Sequence, residues 1–135
     1  MSTQRPLPKP TASTRAFWDA TAKDQLLIQK CAGCTALQFY PRPYCLSCLS
    51  EDMGWVESSG QGTIYTYTIN HRAPNEHMKA LLPYAVAVVT LDEGVKMMGT
   101  IVPGRLQDVR IGARVRVVFE EVGEAFKLPR FELAD

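Results

Sequence analysis

Four cysteines fall in one short window, Cys31-Ala32-Gly33-Cys34 and Cys45-Leu46-Ser47-Cys48, with ten residues between the pairs. No other feature of the sequence restricts the chain as strongly. Two C-x-x-C steps let four thiolates converge on a tetrahedron of about 2.3 Å radius, the geometry zinc takes with sulfur. Gly33 suits the tight turn of such a knuckle, where backbone N–H groups can bond to sulfur. Four thiolates on a divalent ion leave the centre negative, and Lys30 and Arg42 flank it with opposite charge. Phe39, Tyr40 and Tyr44 are expected to shield it from water. The competing readings are two disulfides, a redox C-x-x-C, or iron in place of zinc. With Cys31, Cys34, Cys45 and Cys48 all bound, the coordination shell is full and no position is open to water or substrate. A structural Zn²⁺ is therefore expected, substituting for a core that residues 26–58 are too short to build.

The remainder of the 135 residues allows one medium domain, or a small domain with a stapled accessory module. A hydrophobic fraction of 46% and a charged fraction of 21% are those of an ordinary globular protein. The longest apolar stretch, Tyr84 to Val89, is too short to cross a bilayer as a helix. The N-terminal residues carry charge and prolines rather than an apolar run, which does not fit a secretory signal. A cytoplasmic location is expected, where thiols persist and a disulfide framework is unusual. Net charge is +1, from 15 Lys and Arg against 14 Asp and Glu, a poor starting point for gripping a phosphate backbone.

Pro6, Pro8 and Pro10 make the N-terminus an extended arm or a tail. Ser13 or Thr14 can cap a short helix running to about Lys23, with Phe17, Ala20 and Thr21 on one side. Phe17-Trp18 is an apolar anchor that buries either in the chain's own core, the simpler outcome, or against another subunit. Leu26 to Lys30 reads as a strand leading into the cysteines. Beyond Gly60 the pattern is of strands and turns: Thr63–Asn70, Tyr84–Leu91, Val95–Val102 after the turn Asp92-Glu93-Gly94, Arg114–Glu120 and Phe126–Leu133. Five or so evenly spaced strands without a second helix predict a mainly β fold. A five-stranded barrel of the OB type fits best, and a small sandwich is the alternative. The expected division is arm and helix over 1–25, zinc ribbon over 26–58 and barrel over 59–135.

Catalytic groups are sparse. The cysteines are committed to metal, and only His71 and His77 represent histidine. No nucleophile elbow, H-E-x-x-H, P-loop or G-x-G-x-x-G pattern occurs. Glu120, Glu121 and Glu124 read most simply as a solvated face. Asn70-His71-Arg72-Ala73-Pro74 stands where a strand ends, with donors for a phosphate or carbonyl, or serves merely to cap the loop. In the following loop, Met78, Leu81 and Leu82 lie beside Glu76 and Lys79 and form a candidate interaction surface, or tuck beneath the barrel.

Read in order, the chain shows Phe-Trp on a helix, L-x-x-Q-x-C-x-x-C, an aromatic-Pro-x-Pro step, C-x-x-C, G-x-G-T-I-Y-T-Y-T, H-R-A-P, L-P-Y-A-V-A-V-V-x-L-D-E-G and I-G-x-R-V-x-V-x-F-E-E. Over residues 14–133 it resembles the zinc-ribbon plus OB-fold family catalogued as domain of unknown function 35. The resemblance implies partnership with a larger acyl-CoA enzyme. Relatives accompany thiolase-like enzymes such as acetoacetyl-CoA thiolase with hydroxymethylglutaryl-CoA synthase, sterol side-chain hydratases and aldolases, or an acetyltransferase making a phloroglucinol. A non-catalytic accessory role in lipid metabolism follows, bridging subunits or shaping the acyl-CoA channel. On that reading Arg72, Lys79, Arg105 and Arg110, with His71, are candidates for coenzyme A phosphates, and Tyr65 and Tyr67 for an aromatic wall. Phe17, Trp18, Met78, Leu81 and Leu82 are candidates to face the partner, a thiolase-like, acyltransferase or hydratase/aldolase subunit. The alternative function is a single-stranded nucleic-acid-binding OB module with Tyr65 and Tyr67 stacking from one strand face, against which the neutral charge counts.

Overall fold

A computed structural model of the chain describes residues 8–73, 76–80, 82–102, 105–122 and 125–134, without the side chains of His77 and Met78. A seven-residue helix, α1 (Arg15–Thr21), precedes β1 (Leu27–Cys31), β2 (Leu37–Gln38) and β3 (Met53–Glu57). These strands form an antiparallel sheet in the order β2-β1-β3. Then come β4 (Gln61–Asn70), a four-residue helix α2 (Glu76–Lys79), β5 (Tyr84–Leu91), β6 (Lys96–Thr100), a 3₁₀ turn at Leu106–Asp108, β7 (Arg114–Glu121) and β8 (Lys127–Leu133). The second sheet runs β6-β5-β4-β7-β8. Its two edges approach at Ile101 and Phe131, where a parallel bridge forms and Val102 N–H donates to Phe131 O at 2.8 Å. The result is a nearly closed five-stranded barrel consistent with an OB fold.

The expected strands all form, with apolar residues turned into the core along them. On β5 the residues Ala85, Ala87, Val89 and Leu91 are buried, and on β7 Val115 is fully buried. Gly62 sits where β4 crosses β5 closely: a Cβ there would lie 2.5 Å from Thr90 O, so only glycine fits. Helix α2, the 3₁₀ turn and the ribbon strands β2 and β3 were not expected; β2 and β3 both arise from pairing with β1, β3 from Leu27↔Glu57 to Cys31↔Met53.

Helix α1 ends earlier than the sequence suggests. Gln25 N–H turns back to Ala20 O at 3.0 Å, and Asp24 takes a left-handed φ of 59°. Thr14 occupies the N-cap but makes no capping bond, because its Oγ1 accepts from Thr11 N–H at 2.9 Å instead. At the other end Thr21 Oγ1 donates to Trp18 O at 2.6 Å and accepts from Lys127 N–H at 3.1 Å, pinning α1 to β8.

The two sheets share one core. Phe17, Leu26 and Ile28 lie in the same buried cluster as Ile64, Val89, Val115 and Phe131. Polar links cross the junction as well. Met98 N–H, on edge strand β6, donates to the Tyr40 hydroxyl at 3.3 Å. Glu93 accepts from Ser58 Oγ at 2.7 Å and Ser59 N–H at 2.8 Å. Among the described residues no helix is long and apolar enough to cross a membrane.

Candidate metal centre and ligand face

The four cysteine sulfurs lie within 4.8 Å of one another. Cys31 Sγ is 3.6 Å from Cys48 Sγ, and Cys34 Sγ is 3.6 Å from Cys45 Sγ. A tetrahedron with Zn–S near 2.3 Å has edges of about 3.8 Å, whereas a disulfide needs about 2.05 Å. The spacing therefore fits four thiolates around one zinc ion, and the four thiols are unbridged.

Each knuckle is built the same way. Cys31 Sγ accepts from Gly33 N–H at 3.3 Å and Cys34 N–H at 3.4 Å, while Cys45 Sγ accepts from Ser47 N–H at 3.3 Å. Thr35 (φ 64°) and Leu49 (φ 67°) take left-handed backbone just after the second cysteine of each pair, returning the chain to Cys31 O and Cys45 O at 2.9 Å. The Cys34 and Gly33 N–H groups overcome burial and hold the Cys31 thiol below its ordinary value. The Cys48 N–H, joined by that of Ser47, brings Cys45 down to about 6. At Cys48 the Ser50 N–H, which lowers the value, is outweighed by the neighbouring Cys31 and Cys34 sulfurs, and the thiol is pushed up to about 12. A bound dication removes that conflict by ionising its ligands outright.

The expected aromatic shield is only half present. Cys31 and Cys45 are fully buried, but Cys34 and Cys48 are exposed. Phe39 turns away to pack on Phe17, ring centroids 5.5 Å apart, and Tyr40 and Tyr44 are themselves largely exposed. The first cysteine of each pair is covered, whereas the second sits at a loop tip.

Two further groups were not legible as part of the site. Gln29 and Gln38 are buried on paired strands, opposite one another, and bind the loop that carries the second knuckle. Gln29 lies two residues before Cys31 on β1 and so shares its face of the strand. That spacing was the available signal.

The candidate ligand residues lie on three separate segments. His71 and Arg72 are exposed in the bend after β4. Lys79 pairs within α2 with Glu76 at 3.3 Å. Arg105 Nε donates to Asp108 Oδ2 at 3.1 Å and Arg110 Nη1 to Asp108 O at 3.4 Å, in the turn before β7. Tyr65 and Tyr67 are both exposed, but the β4–β5 register slips between Ile64 and Thr66. Lys96 Nζ lies 4.7 Å from the Tyr65 ring centroid.

Phe17 is 4% exposed, inside the chain's own core, the simpler of the two outcomes expected for it. Trp18 is half-buried, edge-on to Phe17 at 4.9 Å and 5.0 Å from the Phe126 ring. Leu82 is half-buried; Leu81 and the Met78 side chain lie outside the described residues, as do Pro74 and Glu124. Glu120 is not simply solvated: Arg130 Nη1 donates to it at 3.1 Å, while Arg130 Nε donates to Thr100 at 2.9 Å, tying β6, β7 and β8 together.

Residues 18–54 match the family model described as the ChsH2 rubredoxin-like zinc ribbon domain, and residues 55–120 that of the ChsH2 C-terminal OB-fold domain. The chain belongs to the DUF35 family. A DUF35 domain-containing scaffold protein of Methanocaldococcus jannaschii is 34% identical over 73% of this chain and 70% of its own length. A "Probable enoyl-CoA hydratase alpha subunit" of Thermomonospora curvata is 36% identical over 94% of this chain. The chain spans 40% of that relative's length. Among solved structures, a chain of "Ltp2-ChsH2(DUF35) aldolase" superimposes with a TM-score of 0.80 at 34% identity, covering 94% of this chain and 98% of that one. A DUF35-family protein of unknown function from Sulfolobus solfataricus shares the fold, with a TM-score of 0.64 at 16% identity over 91% of this chain and 86% of that one.

Proposed function

We propose that this chain is a zinc-stapled, non-catalytic scaffold subunit that docks onto a hydratase- or aldolase-type enzyme working on acyl-CoA. The observation that carries the reading is the likeness, over 98% of its length, to the DUF35 chain of an aldolase. Relatives named as scaffold proteins support the scaffold role, and a relative named as a hydratase alpha subunit supports a hydratase-type assembly. On this reading residues 1–25 form the arm and helix, 26–58 the ribbon and 59–135 the barrel, and the protein works in the cytoplasm. The chemistry of the chain agrees. Its thiols form a closed metal shell, unsuited to Lewis-acid or nucleophilic work.

Contact with the acyl-CoA itself is the finer part of the proposal. His71 and Arg72, exposed at the end of β4, are the best placed donors for a phosphate. Lys79, Arg105 and Arg110 already have acidic or carbonyl neighbours, which lowers their standing.

The test mixes the purified chain with candidate hydratase and aldolase subunits from its own organism. A defined complex by size-exclusion chromatography with light scattering is expected, with acyl-CoA turnover only when both chains are present. Arg72→Ala is expected to weaken coenzyme A binding to the complex about tenfold, read by calorimetry. Turnover of an acyl-CoA by the isolated chain would overturn the scaffold reading.

A further inference from the structure

The two zinc knuckles are held to the protein by different means. Cys31 is the last residue of β1 and is fixed in the sheet by its register with Met53 on β3. Cys45 lies outside any strand, and its own backbone bonds are local to its knuckle: Cys45 N–H to Ser50 O at 2.8 Å and Leu49 N–H to Cys45 O at 2.9 Å. The segment leading to it, Tyr40-Pro41-Arg42-Pro43-Tyr44, contains two prolines and so lacks the alternating donors a ladder needs.

Two side-chain amides take the place of a neighbouring strand. Gln29 Nε2 donates to Arg42 O at 2.8 Å, and Gln29 Oε1 accepts from Arg42 N–H at 2.8 Å. One amide thus grips both backbone groups of a single residue, as a paired strand would. Gln29 Oε1 also accepts from Gln38 Nε2 at 2.8 Å. Gln38 then reaches the knuckle itself: its Nε2 donates to Tyr44 O at 3.2 Å and its Oε1 accepts from Leu46 N–H at 3.0 Å. Tyr44 and Leu46 are the residues on either side of Cys45. Both glutamines are buried, 3% and 8% exposed, so water is a poor substitute for either amide.

We infer that Gln29 and Gln38 are positioning residues for the metal centre, holding the second knuckle at ligating distance from the first. The inference rests on the zinc reading of the four thiolates. It predicts an asymmetry: without the amides the centre opens from the Cys45–Cys48 side while Cys31 and Cys34 stay with the sheet.

The experiment uses the full chain loaded with zinc, whose metal content is measured first. Zinc transfer to the chelator 4-(2-pyridylazo)resorcinol is followed by absorbance, and thiol labelling by N-ethylmaleimide is followed by mass spectrometry. Gln29→Leu is expected to speed transfer about tenfold or more. It is also expected to make Cys48 label ahead of Cys34, although both are exposed in the folded chain. Gln38→Leu leaves the Arg42 bonds in place and is the milder variant, expected to shift the labelling order in the same direction. Val115→Ala, in the barrel and away from the loop, controls for general loss of stability and should keep the wild-type labelling order.

A wild-type chain without zinc would sink the metal reading. A zinc-loaded wild type, with Gln38→Leu showing its transfer rate and labelling order, would overturn the positioning role alone. Faster transfer with Cys34 labelling first, or the same change in Val115→Ala, would overturn it too.

Discussion

Cys34 is the sulfur on which the metal assignment can be tested most cleanly. It is exposed, so replacing it opens no hole in the core, and its sulfur lies 3.6 Å from that of Cys45. Serine keeps the shape but offers zinc a harder, poorly ionised oxygen. Cys34→Ser is expected to lower zinc from one ion per chain to well below that after gel filtration, as measured by atomic absorption. Undiminished zinc in the variant would refute four-sulfur ligation. The cysteines were legible because metal ligation demands a fixed spacing. Gln29 and Gln38 were not, because a glutamine in a strand ordinarily faces water and nothing local says that a proline-rich loop will lie over it. Gly62 was visible as a residue but not as a close approach, since the Thr90 carbonyl it admits lies on another strand.

At the scale of elements, the hairpin turn between β5 and β6 does more than reverse the chain. Glu93 from that turn accepts two bonds from the segment joining β3 to β4. Burial favours its neutral form, but the Ser59 N–H and the Ser58 hydroxyl outweigh that and hold the carboxyl below its ordinary 4.5. The bidentate Arg114 likewise holds Asp92 below its ordinary 3.8. Both groups bind protons more weakly folded than unfolded. Their stabilisation is therefore complete above the ordinary carboxylate range and is lost as pH falls through the lowered folded values. Glu93→Gln is expected to cost about 1–2 kcal/mol near neutral pH and to flatten the fall in melting temperature between about pH 5 and pH 3. Loss of metal from protonated thiolates in acid is common to both proteins, so the difference between their curves isolates Glu93. Parallel curves would show that the turn does not clamp the junction. The strands of the barrel were legible from their β-branched runs. The slip between Ile64 and Thr66 and the strand β3 were not, because both arise from pairing with a neighbour rather than from local preference.

For the whole molecule, the question is whether the ribbon and the barrel are two folding units or one. Composition and motif order divide them, and the sequence predicts that removing the metal unfolds the ribbon. The core argues for a wider effect. Phe17 from the helix, Leu26 just before the ribbon's central strand and Ile28 on it pack in the same buried cluster as Ile64, Val89 and Phe131 of the barrel. If β1 loses its metal anchor at Cys31, Leu26 and Ile28 lose their fixed place, and the barrel is left with an uncovered apolar face. Stripping the zinc with a chelator is therefore expected to lower one cooperative transition by more than about 10 °C. Far-ultraviolet circular dichroism and tryptophan fluorescence should report the same midpoint, since Trp55 lies on β3 and the barrel supplies most of the strand signal. A barrel transition unmoved by chelation, beside a separate early loss of the ribbon, would show two independent units. One shared transition would mean that the metal rigidifies ribbon and barrel together, so that a centre with no open coordination position still governs the surface proposed for docking.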